Sequence, residues 1–95
     1  VSVKMVFSVY DSKAQAFLVP IFCVTRGVAL RLFQAAVLDV EHDFHKFCGD
    51  YTLFELGEFD EMSGKFANHA TPESVALAVT IMQMAAPNGP PQEGD

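Results

Sequence analysis

Between Tyr51 and Phe66 the chain alternates, turns and alternates again. Tyr51, Leu53, Glu55, Gly57 and Phe59 share one face of an extended segment. Thr52, Phe54, Leu56 and Glu58 share the other. Residues 60–64 supply a turn whose Gly64 is free to take a positive φ. Residues 65–69 then return as a further strand. A lone hairpin is at best marginally stable in water. The rest of the chain must therefore add strands and a helix against one face.

It does so. In residues 3–10, Val3, Met5, Phe7 and Val9 alternate with Lys4, Val6, Ser8 and Tyr10, the pattern of a half-buried strand. Residues 11–15 form a polar turn. Residues 17–24 are apolar on both faces. Pro20 inside them has no N–H for a ladder, which demotes the strand to an edge or marks a break. Thr25 reads as the N-cap of a helix running to about residue 40. Val28, Ala29, Leu32, Phe33, Ala36, Val37 and Val40 fall on one face of it. Residues 41–50 form a polar connection anchored by Phe44 and Phe47.

Residues 75–84 carry both a strand-like and a helix-like period. Thr71-Pro72-Glu73 resembles a capped helix start, and with the alanines it favours helix. The pattern predicts an α+β domain over residues 1–85. Its small antiparallel sheet has about four strands packed against one main helix, in the order β-β-α-β-β with a further helix. A flexible Pro/Gly-rich tail follows over residues 86–95.

A chain of 95 residues makes one domain. It buries only roughly 60–65% of the surface its unfolded form exposes. Yet 51% of its residues are hydrophobic and nine are Phe, more than a small core hides. The expectation is a homo-oligomer, a two-fold dimer first, with Phe17, Val19, Ile21, Phe22 and Leu38 as interface residues. The formal charge is −6 and the six bases are scattered. That disfavours non-specific nucleic-acid binding and an anionic membrane surface. Nothing reads as a signal peptide or a spanning segment, so a soluble cytoplasmic protein without a membrane partner is expected.

Few residues suggest chemistry. His42, His45 and Cys48, with Asp39 or His69, are legitimate zinc ligand types, but their spacing matches no established zinc pattern. A polar loop is the simpler reading, and no metal or cofactor is expected. Cys23 reads as a small core hydrophobe; a Cys23–Cys48 bridge would need an oxidising compartment. Glu55 and Glu58 differ in strand parity and do not flank a common substrate. No nucleophile elbow or phosphate loop is present, so no enzyme is expected. Single-stranded DNA needs exposed aromatics beside bases. Lys4, Tyr10, Lys13, Arg26 and Arg31 are the residues that could supply them.

Certain blocks are distinctive as wording. They are residues 6–14 (VFSVYDSKA), residues 17–22 with the internal Pro20, Thr25-Arg-Gly27, residues 50–60 (DYTLFELGEFD), Gly64-Lys-Phe66 and Thr71-Pro72. Together they resemble the small non-structural protein of gokushoviruses, single-stranded DNA phages of the microvirus group. The resemblance spans residues 3–79 and departs around Phe47-Cys48-Gly49. It implies a protein made in the host cytoplasm, absent from the capsid, with a role in phage DNA synthesis, the binding of single-stranded DNA being one form of that role. The alternative is an acidic oligomeric adaptor that binds a host or phage replication protein without touching DNA. The family carries no catalytic residues over to this chain.

Overall fold

The computed structural model describes residues 2–86. The tail expected over residues 86–95 therefore lies, but for Ala86, outside the described residues. The strand β1 (Val3–Asp11) is the centre of the sheet. On one side it pairs antiparallel with β4 (Tyr51–Asp60), from Val3 opposite Asp60 to Asp11 opposite Tyr51. On the other side it pairs with two short pieces, β2 (Ala16–Phe17) and β3 (Ile21–Cys23). Pro20 separates those pieces, as its missing donor requires. At the break the Leu18 N–H still reaches the Val9 carbonyl. The buried Ser8 hydroxyl donates to the Leu18 carbonyl, so the elbow at residues 18–20 stays tied to β1. The β1–β2 turn is closed by Asp11, whose carboxylate accepts from the Lys13 and Ala14 amides.

The helix α1 (Arg26–Leu38) begins where Thr25 accepts from the Val28 amide at 3.2 Å. Ala29, Phe33 and Val37, four residues apart, are its buried stripe. It stops at Leu38, short of residue 40. Its last turn has no basic residue, and Asp39 opposes the dipole there. A short α2 (Asp43–Lys46) and one 3-10 turn (Cys48–Asp50) lead into β4.

Beyond the turn at Gly64 (φ 75°), β5 (Lys65–Leu77) runs antiparallel to β4 as the far edge of the sheet. Here the structure corrects the expected helix start at Thr71-Pro72-Glu73. Glu73 lies opposite Glu55, Ser74 opposite Phe54, and Leu77 opposite Thr52. Pairing to β4 outweighs the local capping signal. Pro72 is tolerated because residues 69–72 bulge out between the Glu55 and Gly57 registers, on a free edge. The helix α3 (Ala78–Ala85) starts only after that strand.

The core lies between one sheet face and the helices α1 and α3. It is made by Phe7, Cys23, Ala29, Phe33, Val37, Leu53, Ala78 and Ile81. Phe44 closes one end, 5.6 Å from Phe33 and 4.6 Å from Tyr51 between ring centroids. The architecture is thus the expected α+β one, with the second strand split in two. The helices α1 and α3 pack on the same side, and among the described residues the opposite sheet face carries no helix.

Candidate binding face

Strand parity decides what that opposite face displays. Because Met5, Phe7 and Val9 point into the core, Lys4, Val6, Ser8 and Tyr10 point away from it. The registers Ser8–Phe54, Val6–Gly57 and Lys4–Phe59 put the partners of β4 on the same side. Phe17 joins through Tyr10, Phe22 through Val6, and Phe66 through Phe59. Six aromatic rings therefore share a face that no helix of the described residues covers.

They form two groups. Tyr10, Phe17 and Phe54 pack edge to face, with centroids 4.9, 5.6 and 6.5 Å apart. Phe22, Phe59 and Phe66 form the second group, with centroids 4.8, 5.5 and 6.1 Å apart. Phe17, Phe22 and Phe66 keep about half of their surface open. Gly57 lies between the groups because β5 comes so close there. A Cβ on it would collide with the Ala67 carbonyl oxygen and lie 2.8 Å from the Asn68 Cα. Lys4 is the charged residue of β1 on this face, held 2.8 Å from Glu61.

The five bases and aromatics expected at a nucleic-acid surface thus divide. Lys4 and Tyr10 share the open face, and Lys13 stands in the turn at its end. Arg26 and Arg31 are on α1, in the opposite layer, and do not join them. The expected interface residues divide as well. Phe17 and Phe22 belong to the aromatic face. Val19 and Ile21 line a hollow between the elbow and α1. Leu38 borders a separate groove between α1 and α3. These five do not form one patch.

Arg26 instead completes a constellation that parity alone did not assemble. Glu55 is buried on the helix side, with its side chain 7% exposed. The Arg26 guanidinium donates to its Oε1 through Nε at 3.0 Å, and Nη2 lies 3.0 Å from the same oxygen. His69 Nε2 donates to its Oε2 at 2.7 Å. Arg26 Nη2 also reaches Glu73 at 3.0 Å. Burial pushes the Glu55 carboxyl up, but the hydrogen bonds from His69 and Arg26 and their charges outweigh it and hold it below its ordinary value. Two signals in the sequence pointed here: an acid on the buried parity of β4, and an Arg in the first turn of a helix, where the dipole disfavours it. Glu55, His69 and Glu73 could each offer a metal a ligand atom, within 4.8 Å of one another. The Arg26 guanidinium already supplies the positive charge that such a site would need.

The loop histidines are structural. His42 Nδ1 accepts from the Phe44 amide and caps α2. His45 Nδ1 lies 3.0 Å from the Val37 carbonyl at the end of α1, which it can only meet as a donor. Both Nδ1 atoms are spent on the backbone. Cys23 and Cys48 are free thiols, and burial pushes the Cys23 thiol up, as befits a core residue.

A family model described as "Phage ORF5 protein" matches residues 4–81, well over half of the chain. No curated protein and no solved structure matches it.

Proposed function

The chain belongs to the phage ORF5 protein family, and we propose that it serves as a non-structural accessory protein in the DNA synthesis of a small single-stranded DNA phage. The sequence blocks that resemble the gokushovirus protein motivate the narrower group. On this reading the protein acts in the host cytoplasm and binds single-stranded DNA on the open sheet face, without catalysis. The observation that carries the reading is the pair of aromatic groups on a face with little charge. Base stacking tolerates any sequence, because every base has a π-face. Phe54 and Phe59 are four strand steps apart once the bulge between Glu55 and Gly57 is counted, about 13 Å. A strand laid along β4 would meet both groups in turn.

The net charge of −6 shapes the expected behaviour. With only Lys4 and Lys13 at this face, the logarithm of affinity should fall with the logarithm of salt at a slope of about −1.4. Stacking would carry most of the energy. Fluorescence anisotropy with a labelled oligonucleotide tests this. Phe17→Ala and Phe66→Ala should each weaken binding, by about 1–3 kcal/mol per lost stack. Lys4→Glu combined with Lys13→Glu should weaken it too and flatten the salt slope. No binding at low salt would remove DNA contact from the reading. The second reading, an acidic adaptor for a host or phage replication protein, is favoured by the exposed apolar side chains around the elbow.

A further inference from the structure

We infer that a second copy of this chain covers the elbow at residues 18–20, each copy seating its elbow in the hollow of the other. The inference stands apart from DNA binding, which uses the opposite side of the sheet. Val19 is 85% exposed at the tip of the elbow, a large exposure for an apolar side chain. Beside it, between the elbow and α1, lies a hollow of about 160 Å³. Leu18, Ile21, Leu32, Phe33 and Ala36 line it, and Val19 stands at its rim. Ser8 is the polar residue among those that line it, and its hydroxyl is already spent on the Leu18 carbonyl. A hollow of this size and lining takes an apolar side chain rather than water.

A knob and its hole side by side on one surface are what a two-fold contact requires, since the same patch must serve both partners. Charge permits the approach. Residues 14–25 contain no charged side chain in a chain of net charge −6. The flanking ionisable residues on α1 are Arg26 and Arg31, so the acids that would repel a second copy lie elsewhere. The exposed parts of Leu18, Val19, Pro20, Ile21 and Leu32 offer roughly 450 Å² per copy, in the range of weak, transient contacts. The contact is therefore reversible. It is made by side chains, because neither sheet edge is fit to add a strand. Pro20 breaks one edge, and Pro72 with the 69–72 bulge interrupts the other.

Sedimentation of the full chain from about 1 to about 300 µM tests this. The weight-average mass should rise from 10.4 kDa towards twice that value. Val19→Asp should weaken association at least about thirtyfold while leaving the circular dichroism spectrum unchanged. Phe66→Ala on the aromatic face and Leu38→Asp in the other groove should leave association intact. A monomeric mass across the whole range would overturn the inference. So would a dimer that survives Val19→Asp, or one that is lost with Phe66→Ala instead.

Discussion

Arg26→Ala tests whether the ion pair to the buried Glu55 pins α1 to β4 and β5. Glu55 is buried and Arg26 is about half exposed, at 49%, so the loss is asymmetric. The arginine could be solvated alone, but the carboxylate could not. A hydrogen bond to a charged group contributes about 1.5–3 kcal/mol. Half-exposure of Arg26 puts the Glu55 contact at the low end, and the exposed contact to Glu73 adds less than about 1 kcal/mol. Relief of the unfavourable dipole interaction at the start of α1 returns about 0.3 kcal/mol. His69 still donates to Glu55 in the variant. The expected cost is therefore about 2 kcal/mol, which for a domain of this size lowers Tm by roughly 8–16 °C. Thermal and urea melts followed by circular dichroism would measure it. The decisive comparison is a cycle with Glu55→Gln. In that background Arg26→Ala should cost only about 0.5 kcal/mol, leaving a coupling of about 1.5 kcal/mol. A coupling below about 0.3 kcal/mol would refute the pinning role and reduce the cluster to an ordinary surface pair.

Two further outcomes follow from the same geometry. Glu55 titrates below its ordinary value of 4.5 in the fold, so its contribution is complete above the unfolded value and is lost as pH falls through the folded one. Stability should drop in acid below about pH 4.5, and the drop should be shallower in Glu55→Gln; equal acid profiles for the two proteins would contradict the assignment. Gly57→Ala should cost about 2–3 kcal/mol, because the new Cβ meets the backbone of β5 at Ala67 and Asn68 rather than a side chain that can swing away; a urea midpoint unchanged from that of the unsubstituted protein would show that the β4–β5 approach can relax.

The parts of this fold that local pattern encodes were legible. The alternation in β1, the turn at Gly64 and the Ala29–Phe33–Val37 stripe of α1 each follow from one period and one side of a chain segment. The segment at Thr71–Ser74 was not, because its capping signal is real but weaker than the ladder it makes with β4. The interface residues scattered for a related reason. In an unbroken strand Phe17, Val19 and Ile21 would share a face. The break at Pro20 resets the parity, so that Phe17 and Phe22 share one face while Val19 and Ile21 turn to the hollow. Parity also put Lys4 and Tyr10 together correctly. It could not place Arg26 and Arg31, whose direction depends on which side of the sheet the helix packs.

The segregation of charge explains how an acidic chain can still offer contact surfaces. Of the acids, Glu55 and Glu73 are engaged by Arg26 on the helix side. Glu58, Asp60 and Glu61 gather at the β4–β5 tip. Asp39, Glu41, Asp43 and Asp50 lie in the connection between α1 and β4. Asp11 closes the β1–β2 turn. The aromatic face is left with Lys4 as the charged residue of β1, and the elbow has no charged side chain. Net charge sets the long-range field of such a chain. Short-range recognition depends on what is exposed where two surfaces meet. Lys4 illustrates the balance, because its exposed pairing with Glu61 offsets part of the charge that a base brings to the aromatic face. A face arranged this way would hold a strand by stacking first and by phosphate contact second. That order follows from the exposed rings of Phe17, Phe22 and Phe66 and from the few bases beside them.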